Sequence, residues 1–270
     1  MKMLITGSGS GIGRAVALGA AREATLEDPA LLLLVDRDVD SVAQVADEVD
    51  ALGGRAVVVE YDLLLADGPA HAVSVARAEF GGLDALISNA GMVAPAPLTE
   101  MSVESFDATM ALNARVTWQL GREAHDLLSA SRGSIVATAS ISGTFPTPPL
   151  GAYSASKAAL MMLIRQMALE WGPDGIRCNS VSPGPTITGL TMNAFGGGSP
   201  EQQENRRRRE SMIPLRKVGS ADEVANAILF LAGPRASQIT GIDLAVDGGI
   251  GLILMPASGG GTGPVGKSIS

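Results

Sequence analysis

Strand-sized apolar runs alternate with longer amphipathic stretches along almost the whole chain, and this alternation constrains the fold most. Residues 2–6, 31–35, 56–61, 83–88, 134–139, 177–181 and 243–246 read as strands. Residues 11–24, 39–52, 69–80, 103–130, 153–171 and 221–231 read as helices. A run such as Leu31-Leu32-Leu33-Leu34-Val35 is apolar throughout, so both faces of its strand must be covered. That calls for a parallel sheet between helical layers. Alternating strands and helices with right-handed crossovers predict an α/β fold: a doubly wound, seven-stranded parallel sheet in three α/β/α layers. No linker divides the chain, which predicts one domain over residues 1–255. Two stretches break the rhythm. Residues 184–214 carry Gly196-Gly197-Gly198, Pro200 and then a polar helical run, which predicts a mobile flap at about 186–214. Residues 256–270 form a tail rich in Gly and Ser.

Composition narrows the function classes. Hydrophobic residues make up 46% of the chain and aromatics 3%, with 33 glycines, a mixture suited to close helix-on-sheet contact. A net charge of −8 argues against a general nucleic-acid binder, which needs a basic face. The single Cys178 excludes an internal disulfide framework and favours a reducing, cytoplasmic location. His71 and His125 have no Cys or His neighbours at zinc spacing, so no metal site is expected. No apolar stretch is long enough to span a bilayer, and Met1 to Gly7 leads straight into a strand, with no signal peptide expected.

The chemistry concentrates at Tyr153 and Lys157, four apart at the start of a helical run. That spacing puts both side chains on one face. An ammonium beside a phenol favours the phenolate, which predicts a lowered tyrosine pKa. A phenol tuned in this way can exchange a proton with an alcohol or ketone. Ser140 ends the fifth predicted strand, where it can hydrogen-bond the reacting oxygen. At the first strand end, Thr6-Gly7-Ser8-Gly9-Ser10-Gly11-Ile12-Gly13 forms a glycine loop before a helix. Gly7, Ser10, Gly11 and Ile12 can bring backbone close to a pyrophosphate resting on the helix N-terminus.

These marks, in this order, resemble the short-chain dehydrogenase/reductase family. The resemblance is carried by residues 6–13, Asn89-Ala90-Gly91, Asn113, Ser140, Tyr153-Ser154-Ala155-Ser156-Lys157, Pro183-Gly184, Thr240-Gly241 and Asp247-Gly248-Gly249, almost the whole chain. It implies a Rossmann-like fold and an oxidoreductase interconverting a secondary alcohol and a ketone. Ser140, Tyr153 and Lys157 would carry the reaction, with Asn113 holding a water that links Lys157 to solvent. Asp36, ending strand two, would accept hydrogen bonds from the adenosine ribose and repel a 2′-phosphate. Arg37 beside it could bind a phosphate, but Asp36 precedes it and dominates, so NAD is expected, with NADP disfavoured. The resemblance assigns Asp62 and Leu63 to the adenine and Asn89, Ala90 and Gly91 to the cofactor cleft. Pro183, Gly184, Thr186 and Thr188 fall near the nicotinamide carboxamide, where Tyr153 and Lys157 also reach the cofactor. It implies a homotetramer or homodimer built on residues 103–130 and 153–171.

The substrate side is less determined. Residues 141–152, Met92 and Val93, and Leu190, Met192, Phe195 and Met212 of the flap are mostly apolar, suggesting a hydrophobic or cyclic alcohol. Arg206-Arg207-Arg208-Arg209 reads as a solvated helix face paired with Glu201, Glu204 and Glu210 rather than as an anion clamp. Ala137-Thr138-Ala139 departs from the family pattern before Ser140, as do Ser88 and Thr186. An NADPH-linked ketone or 3-ketoacyl-carrier reductase is the alternative enzyme. A dinucleotide-binding redox sensor is the alternative outside catalysis.

Overall fold

A computed structural model describes residues 1–25, 27–189, 191–192, 196 and 198–253. Leu190, Phe195 and Gly197 of the expected flap, and the 256–270 tail, lie outside the described residues. The central sheet has seven strands: β1 (Lys2–Thr6), β2 (Leu31–Asp36), β3 (Arg55–Glu60), β4 (Ala85–Ser88), β5 (Ser134–Thr138), β6 (Arg177–Pro183) and β9 (Asp243–Val246). They lie side by side in the order β3-β2-β1-β4-β5-β6-β9, and every pairing is parallel. Between β1 and β4 the order reverses. Crevices outside the carboxyl ends of strands at such a reversal are where ligands enter open α/β sheets.

Successive residues of each strand face opposite layers, and the core divides accordingly. Leu4, Leu33, Val35 and Leu86 pack into one apolar layer; Met3, Ile5, Leu32, Leu34 and Ile87 pack into the other. The helices α1 (Gly11–Glu23), α2 (Val39–Ala51) and α9 (Ala221–Ala232) cover the second layer, and α3 (Gly68–Phe80), α5 (Val116–Glu123) and α7 (Tyr153–Trp171) the first. At Gly19, α1 approaches α9 so closely that a Cβ would sit 2.7 Å from the Leu229 side chain. Among the described residues, no buried side-chain nitrogen or oxygen lacks a hydrogen-bond partner, and no helix is long and apolar enough to cross a membrane.

One expectation needs correction. The stretch 103–130 is not one helix. It runs as α4 (Val103–Met110), a π-helical turn (Ala111–Arg115), α5, and α6 (His125–Ser131). Thr109 donates to the Ser105 carbonyl one turn back, a bond that bends helices. At Ala124, ψ near 0° separates α5 from α6. The polar run after Pro200 is the helix expected from the sequence. Beyond β6, β7 (Thr186–Ile187) pairs in parallel with β8 (Gly219–Ser220), and α8 (Pro200–Met212) stands between them, opened by a Ser199/Gln202 capping box.

Candidate active site

The glycine loop joins β1 to α1 beside the reversal point. Gly7 and Gly11 have φ of 63° and 53°, in the left-handed region that suits glycine. At Gly13 a Cβ would come within 2.1 Å of the Gly7 carbonyl oxygen, so nothing larger fits. Ser10 caps α1 in extended conformation without a side-chain cap bond, and no acidic residue occupies the first turn. The N–H groups opening α1, Gly11 and Ile12 among them, are available to an anion. Thr188 sits against Gly11, its Cβ 3.3 Å from where a Gly11 side chain would begin, so the chain leaving β6 crosses in front of the loop. Pro183 ends β6, and Gly184 presses on the Asp247 backbone. Thr186 is buried and donates to the Gly184 carbonyl. This glycine cradle fits the diphosphate of a nicotinamide dinucleotide.

Asp36 ends β2 and turns back into that loop. Its Oδ2 accepts from the Gly9 N–H at 2.9 Å, and its Oδ1 from the N–H groups of Arg37 and Asp38. The cap of α2 is Asp38, through Ser41, so Asp36 remains free to present its carboxylate edge. Arg37 is exposed at its side. Asp62 is exposed and accepts from the Leu64 N–H; the Leu63 side chain belongs to the apolar core and leaves only its main chain for a ligand. After β4, the Asn89 and Ala90 N–H groups both donate to the Thr6 hydroxyl at 3.0 Å. Gly91 lies where a Cβ would be 3.1 Å from Asn113 Oδ1 and 3.6 Å from Lys157 Nζ. A glycine there leaves the approach to both groups open.

One strand further, Ser140 leaves β5 in extended conformation and its Oγ accepts from the Ser142 N–H at 3.1 Å. The short 3₁₀ turn Ile141–Gly143 lies on α7, where a Cβ at Gly143 would meet the Lys157 backbone at 2.9 Å. That contact brings the Ser140 hydroxyl up to the Tyr153 phenol, whose ionised form it favours. Lys157, 4% exposed, lies one turn along α7, with Nζ 5.7 Å from the Tyr153 ring centre and donating to the Thr138 carbonyl at 2.7 Å.

The lowered tyrosine pKa expected from the spacing is a further correction. Burial pushes the Tyr153 phenol up, and the Ser140 hydroxyl pulls it back only in part. The ammonium is turned towards Thr138 rather than the phenol oxygen. Burial also pushes Lys157 down, to about 8. Asn113 lies in the middle of the π turn with both amide hydrogens engaged. Its Oδ1 accepts from the Met92 N–H, and its Nδ2 donates to the Met92 carbonyl and to Ser156 Oγ. One lone pair of Oδ1 and the carbonyls of the widened turn remain as acceptors for a water.

Sequence reasoning passed over Thr6, Ser156 and Thr138. Each is a short hydroxyl residue adjoining a recognised motif, and position beside a motif was the one available signal. Arg206 to Arg209 divide as expected: Arg206 pairs with Glu210 and Arg207 with Glu204 on the helix itself. Cys178 is buried, its thiol pushed up to about 12, and is inert packing.

A family profile described as enoyl-(acyl carrier protein) reductase matches residues 7–251. The chain is 34% identical over 248 residues to the 2,5-dichloro-2,5-cyclohexadiene-1,4-diol dehydrogenase of Sphingobium indicum, covering 91% of this chain and 94% of that protein. A solved short-chain type dehydrogenase/reductase from Mycobacterium marinum is 32% identical, with a TM-score of 0.82 and coverage of 92% and 94%. A structure described as an NAD(P)-dependent gluconate 5-dehydrogenase from Beutenbergia cavernae, with NADP at low occupancy, is 33% identical. Its TM-score is 0.82, with coverage of 92% and 96%.

Proposed function

The chain belongs to the short-chain dehydrogenase/reductase family, and on that footing we propose that it interconverts a secondary alcohol and a ketone with NAD. The observation that carries this is the cluster of Ser140, Tyr153 and a buried Lys157 5.7 Å from the centre of the phenol ring, beside the glycine cradle. When bound, the nicotinamide exchanges hydride with the substrate carbon and, oxidised, adds a positive charge beside the phenol.

Tyr153 takes the alcohol proton in oxidation and returns it in reduction. Ser140 holds the reacting oxygen; the Ser142 N–H on its lone pair fixes the hydroxyl's direction. Lys157 holds its charge near the phenol from the Thr138 carbonyl and would also be in reach of the ribose of a bound dinucleotide. Asn113 and Ser156 hold the far side of the relay in register. A buried phenol with a raised pKa is a proton holder at rest, so the chain alone does not ionise it.

Asp36 supports NAD over NADP, because its carboxylate stands where a 2′-phosphate would arrive. Asp62, Leu63, Asn89, Ala90, Gly91, Pro183, Gly184, Thr186 and Thr188 complete the cofactor site. The substrate class we favour is a cyclic or hydrophobic alcohol, in keeping with the cyclic diol named for the Sphingobium relative and with Met92 and Val93 beside the site. We place the flap at 186–214 and the protein in the cytoplasm. A homotetramer or homodimer is supported by apolar residues exposed on α4, α5 and α7, Phe106, Trp118, Met162 and Leu169 among them. Light scattering after size exclusion tests assembly; a monomer refutes it.

Cyclic diols, sugars and aliphatic secondary alcohols assayed by NADH fluorescence test the reaction. Turnover with NAD on at least one, abolished in Tyr153→Phe, supports the assignment. Turnover with NADP alone would make the protein an NADP-linked reductase. Dinucleotide binding without turnover on any of them would make it a redox sensor.

A further inference from the structure

We infer that Thr138 is a positioning residue that ties the dinucleotide loop to the proton relay; this rests on the dinucleotide site proposed above. Thr138 is the last residue of β5, and it faces both halves of the site. Its carbonyl accepts from Lys157 Nζ at 2.7 Å. Its hydroxyl donates to Asn89 Oδ1 at 2.9 Å. Asn89 in turn donates through Nδ2 to the Gly7 carbonyl at 3.1 Å. One continuous path therefore runs from the glycine loop through Asn89 and Thr138 to the ammonium.

An asparagine amide is nearly symmetrical in shape, and hydrogen bonds alone decide which end is oxygen. The Gly7 carbonyl can only accept, so it demands the NH₂ end. The oxygen end is then left facing β5, where an apolar residue would leave it unpaired. The Thr138 hydroxyl satisfies it, and so holds the other end on Gly7. Gly7 has little freedom to compensate: it is in the left-handed region, and a Cβ there would already touch the Ala90 backbone at 2.9 Å. Releasing Asn89 therefore loosens the residue on which the loop turns. The same strand end carries the Lys157 acceptor, so the disturbance reaches the relay as well.

The test is Thr138→Val, which keeps the shape and removes the hydroxyl, with Thr138→Ser as the rescue. Dissociation constants for NAD and NADH are read by fluorescence quenching, without substrate. The Val variant is expected to bind about tenfold more weakly, the effect of leaving one part-buried acceptor unpaired, and the pH at half-maximal kcat/KM for oxidation is expected to shift. Ser restores both. Should the Val variant fold poorly, the Ala variant in wild-type and Asn89→Ala backgrounds replaces it. Loss of affinity in the first background and none further in the second supports the path. A folded Val variant binding within twofold of wild type, a Ser variant that rescues nothing, or additive losses in the cycle overturns the inference. Wild-type protein that binds neither dinucleotide refutes the cofactor site itself, a separate result.

Discussion

The floor of the site and the helix α8 above it are built on opposite principles. On the floor, Asn113, Ser140, Ser156 and Lys157 are all buried and hydrogen-bonded, Asn113 to Met92 and Ser156 and Lys157 to the end of β5. In α8 none of the thirteen residues is buried, and its ion pairs are local, one turn apart. Buried polar groups are costly unless fully paired, so the floor admits few arrangements. A helix with no buried face gains no core contact along its length. Ile213, just beyond α8, supplies one by burying itself with Val218. In the function proposed above, the reaction belongs to the buried part and substrate choice to the part with no buried face.

The contrast can be broken first at the floor. Tyr153→Phe removes the proton carrier and is expected to cut kcat by about 10²- to 10⁴-fold, while the NADH dissociation constant stays within a few-fold. Steady-state turnover and a binding titration measure the two; turnover that survives would remove Tyr153 from the chemistry. A smaller effect is expected at the cofactor edge. Asp36→Asn keeps an acceptor for the Gly9 N–H but removes the charge, and should raise the ratio of kcat/KM with NADP to that with NAD about tenfold. An unchanged ratio would mean that Asp36 only braces the loop.

The buried ammonium gives a pH signature. Burial lowers its folded pKa from the ordinary 10.5 to about 8. From pH 7 to 9 the folded chain gives up this proton while the unfolded chain keeps it, so stability rises with pH. Urea unfolding should show a gain of about 1 kcal/mol over that window, which disappears in Lys157→Met. Cys178 works in the opposite direction, since its raised thiol pKa makes stability fall as pH climbs past about 9 towards 12. The Met variant retains that opposing slope and so isolates the lysine. The smallest effect belongs to α8. Arg207→Ala breaks the pair with Glu204, both well exposed, and should move stability by less than about 0.5 kcal/mol. A larger loss would show that α8 is anchored along its length.

Much of this was legible in the sequence, for reasons that differ by residue. The seven strands were readable because burial on both faces leaves unbroken apolar runs such as residues 31–35. The Tyr153–Lys157 pair was readable because one helical turn is a fixed distance. The π turn was not, since one residue of extra winding leaves the hydropathy of residues 103–130 unchanged. The Asp36 bond to Gly9 was equally hidden, because a backbone N–H partner leaves no trace in side-chain identity. The raised phenol was missed because spacing reports a neighbour's charge but not the depth at which it lies.

The widened turn at Ala111–Arg115 has a consequence for how this helix can change over generations. Losing one residue there would restore ordinary winding and leave α5 in its present phase, whereas one residue gained elsewhere in the helix would rotate everything beyond it by about 100°. A loss would take Asn113 from Met92 and Ser156; a gain would carry Leu120 out of the core beneath as well. Single-codon insertions and deletions should therefore be purged from this stretch more strictly than substitutions. Deep scanning of both classes of change would reveal a narrow band of length intolerance centred on Asn113.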